Sequence, residues 1–432
     1  MLETSAENNQ SENKNSSFQW KGEKPHIFWI IFPSILLLCA LFLPVHEKLT
    51  QLHLKWVYPL IYAWSIGSIL TPLAIQLSFW LGWLDIPAGR KAHVRPTPIL
   101  GGFAIIGAFG IALLLTFDFS LQMKGVGIGG LLIWLVGVVD DKYELRASLK
   151  LFVQLIAVGI LLYAEVHVSF LPDVWWGTIG EYLITAFWVL GITNAVNFLD
   201  GMDGLATGMS ALIAIFVAIV AVQTNQIYFS YVAIALFASC LAFLPYNFRK
   251  TRSAAIFLGD NGATFLGFTL AATVVMGDWA ESNTASLVVP LLLMGVPIFD
   301  MTLTTVMRFY HGQVKTFGEW LAYAGRDHFH HRLAALGIGR YLAVLMIWGI
   351  TFTLGISAVV LKQARGFDAL LLLLQELLIF LMISFFMIYV RSNQIKIFIE
   401  TQNSGSETKA LNADDLERAL TTTDKPVDSE VD

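Results

Sequence analysis

A chain that is otherwise strongly apolar concentrates its acids and histidines in a few short stretches. One of them, NAVNFLDGMDGLATG at residues 194–208, has polar side chains at three-residue steps: Asn194, Asn197, Asp200 and Asp203. Residues at such steps follow one another along one side of a helix, so the spacing predicts a drifting polar stripe. Gly201 and Gly204 follow the two aspartates, and they are expected to break or loosen the helix so that its backbone can face a ligand.

Two adjacent carboxylates, Asp140 and Asp141, come directly after an apolar segment in GVVDDKYELRASLK. Such a pair could simply be solvated at a helix end. Three cations follow it, at Lys142, Arg146 and Lys150, and this combination is expected where a divalent metal ion and a phosphate meet. The carboxylates can bind the ion or a reacting proton, and the cations can hold phosphate oxygens.

A further carboxylate, Asp260, lies between Gly259 and Gly262 in the apolar segment IFLGDNGATFLG. Either it caps the free N–H groups of a helix start, or it binds a metal ion. A carboxylate in an apolar segment is costly unless it is paired or coordinated, and this favours the metal ion. The flanking glycines allow backbone and ligand to approach closely.

A histidine cluster occurs in AGRDHFHHRL, where His328, His330 and His331 follow Asp327. Three histidines in four residues are reminiscent of a zinc site. No companion cysteine or paired histidine accompanies them in the pattern of a structural zinc site, so we do not expect one. Histidine next to arginine on a loop is better suited to binding pyrophosphate and to proton transfer.

The loop LDIPAGRKAHVRPTPILGG joins two apolar segments. Its prolines and glycines indicate a structured loop, and Arg90, Lys91, His93 and Arg95 indicate an anion site. Ordinary positive charge on the cytoplasmic side of a membrane accounts for any one of these residues, so both explanations stay open for the set.

Composition shows which solvent the chain occupies. Of its 432 residues, 56% are hydrophobic and 14% are charged, whereas a soluble domain carries about a quarter charged residues. Apolar windows of about 17–25 residues, enough to cross ~30 Å of hydrocarbon, recur throughout. They lie at 26–45, 57–81, 98–117, 120–139, 150–168, 179–197, 204–222, 228–246, 256–276, 286–307, 341–361 and 368–390. The predicted fold is all-α, a polytopic membrane protein with about 10–12 transmembrane helices.

Lysines and arginines fall mostly in one set of alternate loops, and by the positive-inside rule that set is cytoplasmic. The acids and histidines described above lie in the same loops, or at helix ends that face them. A proton-driven transporter usually buries its carboxylates near the bilayer midplane. Here the acids and histidines collect where the helices open to the cytoplasm, a place that we call the mouth. This favours an active-site groove on the cytoplasmic face.

Both ends of the chain are polar. Residues 1–25 are rich in Asn, Ser, Glu and Lys, and residues 392–432 are acidic with few large apolar side chains. Neither segment can bury enough apolar surface to fold alone. We therefore expect two disordered cytoplasmic tails around one multi-pass domain at residues 26–391, located in the cell (inner) membrane.

Taken in order, these motifs resemble those of the polyprenyl-phosphate N-acetylhexosamine-1-phosphate transferases, and in particular the undecaprenyl-phosphate GlcNAc-1-phosphate transferase branch. The resemblance rests on five motifs between about residues 57 and 340: Asp85-Ile86-Pro87 with Arg90-Lys91 and His93, Asp140-Asp141 with Lys150, Asn194 to Leu205, Phe257 to Gly262, and His328 to His331. It implies transfer of a sugar 1-phosphate from a UDP-N-acetyl sugar to undecaprenyl phosphate with release of UMP, the first membrane step of a cell-envelope glycan pathway. The implied cofactor is Mg²⁺, with Mn²⁺ as an alternative.

The resemblance also implies a role for individual residues. Asp260 matches a metal-ligating aspartate, and Asp141 is a second metal candidate. The residues that match catalytic positions are Asp140, Asp141, Asp200, His328, His330 and His331. Those that match substrate-binding positions are Arg90, Lys91, His93, Lys150, Asn194, Asn197, Asp203, Asn247 and Phe257. Among the latter, Phe257 matches the aromatic on which uracil stacks, while Asn194, Asp203 and Asn247 match supporting positions.

Several alternatives stay open on the sequence alone. Transfer can be direct or can pass through a covalent phospho-aspartate, and we favour direct attack because both phosphates would share one mouth. The histidine motif, with Phe329 in the middle and Arg332-Leu333 after it, favours UDP-GlcNAc over UDP-MurNAc-pentapeptide, while other UDP-N-acetyl sugars remain open. A non-catalytic lipid-binding or transport protein would be expected to lack one or more of the carboxylates. The implied partners are the UDP-sugar, the polyprenyl phosphate and the lipid bilayer, without nucleic acid, and a homodimer is compatible with them.

Overall fold

The computed structural model of the chain describes residues 28–41, 54–87, 95–116, 119–250, 252–323, 325 and 327–404. Most of these residues are helical, and the strands among them form one short antiparallel pair. In that pair, β1 (Leu84–Asp85) lies beside β2 (Thr97–Pro98). The predicted all-α fold class is confirmed.

The described part of the chain contains fifteen α-helices. They are α1 (Phe28–Leu41), α2 (Val57–Leu81), α3 (Gly101–Thr116), α4 (Leu121–Tyr143), α5 (Ala147–Tyr163), α6 (Trp175–Leu199), α7 (Leu205–Gln223), α8 (Ile227–Asn247), α9 (Gly259–Met276), α10 (Asn283–Leu293), α11 (Gly295–Tyr310), α12 (Phe317–Ala322), α13 (Phe329–Ala335), α14 (Arg340–Val360) and α15 (Gly366–Ser404). A single 3-10 turn at Leu361–Gln363 connects α14 to α15.

Each predicted apolar segment coincides with a helix or, in one case, with a pair of helices. By length and composition, seven of the described helices can cross a membrane, or eight if the one bent pair counts as a single span. The chain is therefore a multi-pass membrane protein. The helices α1, α3 and α5 are apolar but shorter, and α9 has Asp260 and Asn261 in its first turn.

Helix α9 occupies the centre of the bundle. It packs against α3, α4, α6 and α7, and every residue from Asn261 to Val274 is buried. Because α9 faces protein on all sides, small and polar residues such as Thr264, Thr269 and Thr273 suit it better than large lipid-facing ones. The same burial explains why this helix is less apolar than a lipid-exposed span.

Glycines on the neighbouring helices allow α9 to approach closely. A Cβ at Gly129 of α4 would lie 2.6 Å from the Phe268 ring, and one at Gly137 would overlap the Asn261 backbone. On α3, a Cβ at Gly102 would overlap the Asn261 side chain. Three glycines therefore let two helices close around the first half of α9.

The apolar segment predicted as one span at 286–307 is broken. Helices α10 and α11 meet at Met294 with a bend of 70°, so the segment that was predicted as one helix is a pair of helices. Pro297 has no N–H group to donate to the carbonyl four residues before it, and it therefore interrupts the hydrogen-bond ladder at the break. The bend gives α11 a direction of its own and leaves Asp300 and Arg308 buried within the fold.

Helix α15 is longer than the predicted span at 368–390. It continues to Ser404, past the boundary expected at residue 391, so the first residues of the predicted acidic tail are helical. In its membrane-length part, Gly366–Tyr389, only 11% of the residues in the most apolar window are buried, and most of the apolar side chains point outward. The remainder of that tail and the predicted tail at 1–25 lie outside the described residues.

Close packing around α9 predicts the effect of a single methyl group. Gly137→Ala is expected to lower the free energy of unfolding by about 1–3 kcal/mol, because its Cβ would push the Asn261 backbone away from α4. Gly127→Ala on the same helix is the matched control, since a Cβ there meets no described atom within 4 Å. Thermal unfolding in detergent measures both variants, and equal midpoints would contradict the close approach of α4 to α9.

Candidate functional site

The predicted site residues come together at one end of the bundle. Helices α4, α6 and α8 end there, and α5, α7 and α9 begin there. Side-chain hydrogen bonds join these ends across long stretches of sequence, for example between Lys150 and Asp260 and between Asn247 and Gly204. The site is therefore built from helix termini, where backbone groups are free to bind side chains or ligands.

Lys150, in the first turn of α5, bridges two carboxylates. Its Nζ lies 2.6 Å from Asp140 Oδ2 and 3.4 Å from Asp260 Oδ2. The other oxygen of Asp140 accepts a hydrogen bond from the Leu145 N–H at 2.7 Å. The Asp140 side chain is only 4% exposed, whereas that of Asp260 is 41% exposed. Lys150 therefore neutralises a buried carboxylate and leaves Asp260 oxygens accessible to a ligand.

Asp141 caps the N-terminus of α9 from another helix. Its carboxylate accepts hydrogen bonds from the N–H groups of Asp260 at 2.8 Å and Asn261 at 3.3 Å, and from the Asn261 side-chain amide at 2.5 Å. The first N–H groups of a helix have no partner within it, so a carboxylate at this position stabilises the helix start. Gly259 precedes this turn with φ +76°, a conformation that glycine adopts readily.

The two adjacent aspartates have different surroundings because they are helical. The sequence indicated that they follow the apolar segment, but both lie in the last turn of α4, which continues to Tyr143. Successive residues of an α-helix are rotated by about 100° from one another. Asp140 therefore points to Lys150, and Asp141 points to the start of α9.

The stretch that contains Asp200 and Asp203 is a tight turn. Helix α6 ends at Leu199 and α7 begins at Leu205, with Gly204 at φ +78°, so the predicted break at the glycines is confirmed. The helical part of the predicted polar stripe includes only its first two residues. Asn194 and Asn197 lie on α6, while Asp200 and Asp203 lie in the turn that follows it.

Several polar residues hold this turn in place. Asn247 Oδ1 accepts a hydrogen bond from the Gly204 N–H at 2.8 Å, and its side-chain amide donates to the Ile256 carbonyl at 3.0 Å. Asp203 accepts from the Ala254 N–H at 3.0 Å. The turn between α6 and α7 is thereby joined to the segment that leads into α9.

Asn194 forms a reciprocal amide pair with Gln154. Its side-chain nitrogen donates to Gln154 Oε1 at 2.8 Å, and the Gln154 nitrogen donates back at 3.3 Å. This pair links α5 to α6 just below Lys150. Asn197, one helical turn further along α6, lies within hydrogen-bonding range of Asp260, and its buried Oδ1 has no partner among the described residues.

Negative charge accumulates around Asp200. Burial and the nearby carboxylates of Asp260, Asp141 and Asp203 raise the pKa of Asp200 well above its usual range. No described residue donates a hydrogen bond to its carboxylate. No set of three or more acidic, histidine or cysteine side chains in the described part is close enough to hold a metal ion by itself. Any cation bound here would need oxygen ligands from a second source.

The histidine segment packs against the same turn. His328 stacks on Phe198 of α6 with ring centroids 5.0 Å apart, and its Nδ1 lies 2.7 Å from Asp300 Oδ2. His330 is buried beside Gly201, where a Cβ would overlap its ring. Burial, followed by the charges of His331 and His328, lowers the pKa of His330 well below its usual range, so this imidazole is neutral at physiological pH.

An ion pair secures the start of this segment. Arg308 of α11 binds Asp327 through two bonds, Nε to Oδ2 at 2.7 Å and Nη2 to Oδ1 at 2.8 Å. Burial opposes ionisation of Asp327, but the guanidinium outweighs it and lowers the pKa of this carboxyl. A two-bond pair of this kind holds its partners in a defined geometry as well as attracting them.

The remaining predicted residues have different positions. Phe257 is half-buried, and its N–H donates to the Pro98 carbonyl at 2.8 Å, which joins it to the segment before α3. His331 lies 4.1 Å from His330, measured between ring centroids. Arg90, Lys91 and His93 lie outside the described residues.

A groove opens beside the two carboxylates that Lys150 bridges. Its lining residues come from α4, α5 and α9: Ile133, Val136, Gly137, Asp140, Lys150, Val153, Gln154, Asp260 and Thr264. The charged side chains lie at one end of the groove, and the aliphatic side chains belong to helix faces that continue into the bundle. The groove thus combines a lysine with an apolar wall.

Sequence reasoning missed several residues that shape the site. Asp300, Thr304 and Arg308 recur every four residues and are all buried, so they form one polar stripe on α11. That spacing, inside a predicted apolar span, was a detectable signal, because a carboxylate there needs a partner as much as Asp260 does. Gln154 and Asn261 gave no comparable signal, since a single amide in a helix is common.

The chain is similar to known proteins along most of its length. The profile of Glycosyl transferase family 4 matches residues 123–278. A probable undecaprenyl-phosphate N-acetylglucosaminyl 1-phosphate transferase of Bacillus subtilis is 34% identical over 303 residues, which are 68% of this chain and 82% of the relative. A decaprenyl-phosphate N-acetylglucosaminephosphotransferase of Mycobacterium tuberculosis is 32% identical over 63% of this chain and 74% of the relative. A phospho-N-acetylmuramoyl-pentapeptide-transferase of Heliobacterium modesticaldum is 30% identical over 69% of this chain and 99% of the relative.

The contacts of two aspartates predict opposite effects on stability. Asp141→Asn is expected to lower the free energy of unfolding by about 1–3 kcal/mol, because an amide has one acceptor oxygen for the three donors at the start of α9. Asp260→Asn, the matched isosteric variant, should unfold at or above the wild-type temperature, because its exposed carboxylate is surrounded by other carboxylates. Thermal unfolding in detergent without added metal decides this, and a larger loss in Asp260→Asn would contradict the assignment.

Proposed function

This chain is a member of glycosyl transferase family 4, and from that membership and the geometry of its site we propose that it transfers a sugar 1-phosphate from a UDP-sugar to a polyprenyl phosphate, with release of UMP. Three features support the proposal: a lysine shared by two carboxylates, an apolar groove beside it, and a polar turn on its other side. Each fits one part of a reaction between a lipid and a nucleotide.

The observation that carries the proposal is the position of Lys150 at the polar end of the groove. A polyprenyl phosphate has a long apolar chain and a charged head, so its site must combine hydrocarbon contact with a cation. The walls formed by Ile133, Val136 and Val153 suit the chain, and Lys150 suits the phosphate. Lys150 already contacts Asp260, so a phosphate there would lie next to the exposed carboxylate.

The UDP-sugar is assigned to the opposite side of Asp260. The turn between α6 and α7 offers Asn197, with an unpartnered buried oxygen, and the half-buried Phe257 offers an aromatic face for uracil. The neutral His330 lies against this turn. Hydrogen bonds to other residues of the fold are formed by Asn194, Asp203 and Asn247, which supports a positioning role for these three.

Mg²⁺ is the proposed cofactor, with Mn²⁺ as an alternative. The Asp260 side chain is partly exposed, and Asp200 has no hydrogen-bond donor among the described residues. Burial, followed by the neighbouring carboxylates, raises the pKa of Asp200, and a bound cation would relieve that charge. This donor set fits Mg²⁺, which is usually held by one or two carboxylates together with substrate phosphates. A bound Mg²⁺ would neutralise charge on the pyrophosphate. Asp141, whose oxygens serve α9, is the weaker candidate ligand.

The proposed chemical step is direct. An oxygen of the polyprenyl phosphate attacks the β-phosphorus of the UDP-sugar, the bond from that phosphorus to the bridging oxygen breaks, and UMP leaves with the bridging oxygen. The oxygens of Asp140 are occupied by Lys150 and the Leu145 N–H, which supports a role in holding Lys150 over a role as nucleophile. Lys150 would stabilise the charge that develops on the transferred phosphate. A sugar-phosphate adduct trapped on Asp140 or Asp141 without lipid acceptor would contradict this route.

The proposed donor is UDP-GlcNAc, and the proposed acceptor is undecaprenyl phosphate. Two of the relatives described above carry N-acetylglucosamine in their names, and the third is a phospho-N-acetylmuramoyl-pentapeptide-transferase. We assign the site to the cytoplasmic face of the cell membrane, because the loops at this end carry most of the lysines and arginines.

A donor panel tests the proposal. The purified chain is incubated with undecaprenyl phosphate and, separately, with UDP-GlcNAc, UDP-GalNAc or UDP-MurNAc-pentapeptide, in the presence of Mg²⁺ or EDTA. UMP release is expected with UDP-GlcNAc and Mg²⁺. Asp260→Asn should reduce the rate by at least roughly 10²-fold. Asp173→Asn is the control, because this exposed aspartate precedes the far end of α6 and should leave the rate unchanged.

Two results would count against the proposal. Release of UMP by Asp260→Asn at the wild-type rate would remove Asp260 from the reaction. A folded wild-type chain that releases no UMP with any donor would favour the non-catalytic lipid-binding or transport protein.

A further inference from the structure

Asp300 holds the histidine segment through two hydrogen bonds. It is fully buried on α11, its Oδ2 lies 2.7 Å from His328 Nδ1, and its Oδ1 accepts from the Phe329 N–H at 2.5 Å. Phe329 is the first residue of α13, so the second bond satisfies an N–H group that the helix itself leaves free. A buried carboxylate with two donors of this kind fixes both the side chain and the backbone of the segment.

Arg308 completes the surroundings of His328. Its Nη2 lies 3.4 Å from His328 Nε2 and also binds Asp327, which precedes the histidine. A guanidinium can only donate hydrogen bonds, so Nε2 must be the acceptor and Nδ1 must carry the proton that is donated to Asp300. Both ring nitrogens of His328 are therefore occupied by side chains of α11.

His330 has none of the hydrogen-bond partners that His328 has. It is 1% exposed, and neither of its ring nitrogens has a partner among the described residues. Its ring is nearly parallel to that of His328, with 6.3 Å between the centroids, and it rests on Gly201 in the turn that contains Asp200. Buried polar groups in proteins usually have hydrogen-bond partners, so the two unpartnered nitrogens of His330 remain available to a ligand bound beside this turn.

We propose that Asp300 and Arg308 are positioning residues that act through His328, and that their effect on the reaction is to hold His330 at the turn beside Asp200. His328 then links α11 to α13 and makes no contact with substrate; we call this link, formed by Asp300, Arg308 and His328, the bracket. This inference rests on the proposed function for the activity that it affects, but the bracket itself can be tested without substrate.

Amide hydrogen exchange tests the bracket directly. In Asp300→Asn, one amide oxygen replaces two carboxylate oxygens, so either His328 or the Phe329 N–H faces an NH₂ group. Exchange of residues 328–331 is expected to accelerate at least tenfold, while exchange of residues 130–137 on α4 stays as in the wild type. Unchanged exchange at 328–331 would overturn the inference, whether or not the chain turns over any UDP-sugar.

Kinetics then separate positioning from general destabilisation, with the donor that the wild type uses. Asp300→Asn is expected to lower kcat by roughly 10²-fold, the cost of a misplaced group, with the KM for the donor changed less than threefold. In a His330→Ala background the same substitution should cost less than about threefold, because its effect passes through that ring. Multiplicative losses in the double variant would show a separate structural effect and would overturn the inference.

A second variant covers the case in which Asp300→Asn does not fold. His328→Asn retains a side-chain donor toward Asp300, whereas His328→Ala removes it. If His328 is a bracket, the asparagine variant should be at least tenfold more active than the alanine variant. If His328 contacts substrate, both variants should be equally inactive, and the inference is overturned.

Discussion

The placement of Asp260 depends on the carboxylate of Asp141. Helix α9 begins next to Lys150 and to the carboxylates of Asp140, Asp141 and Asp200, and its first N–H groups need an acceptor there. Asp141 supplies that acceptor from the last turn of α4, and glycines on α3 and α4 allow the helices to come close enough. Without this cap, α9 would have unsatisfied donors in its first turn, directly at Asp260.

The rest of the site follows from opposite requirements on one end of the bundle. The proposed acceptor is a lipid and the proposed donor is a nucleotide, so one set of helix ends must offer an apolar wall and a charged surface together. The α4 and α5 faces supply the wall, and the turn between α6 and α7 supplies the polar side. The break between α10 and α11 also contributes, because it sets the direction of α11, from which Asp300 and Arg308 contact the histidine segment.

Much of this arrangement could be predicted from the sequence, because charged residues in an apolar chain are conspicuous. Asp140, Lys150, Asp200 and Asp260 were all expected at one mouth, and they do lie together. The contacts that each of these residues makes could not be predicted. The directions of Asp140 and Asp141 depend on α4 continuing to Tyr143, and hydropathy alone does not show where a helix ends. Asp300 was overlooked because its partner, His328, lies 28 residues away along the chain, and because the apolar pattern conceals the bend that precedes Asp300.

In the proposed reaction, the bond that breaks lies between the two phosphates of the donor and not between sugar and phosphate. Two samples of UDP-GlcNAc, one with radioactive phosphorus at the α position and one at the β position, distinguish these reactions when each is incubated with undecaprenyl phosphate and Mg²⁺. The account predicts that the β label moves to the lipid product and that the α label leaves as UMP. Both labels leaving together as UDP, with an unlabelled lipid product, would contradict it.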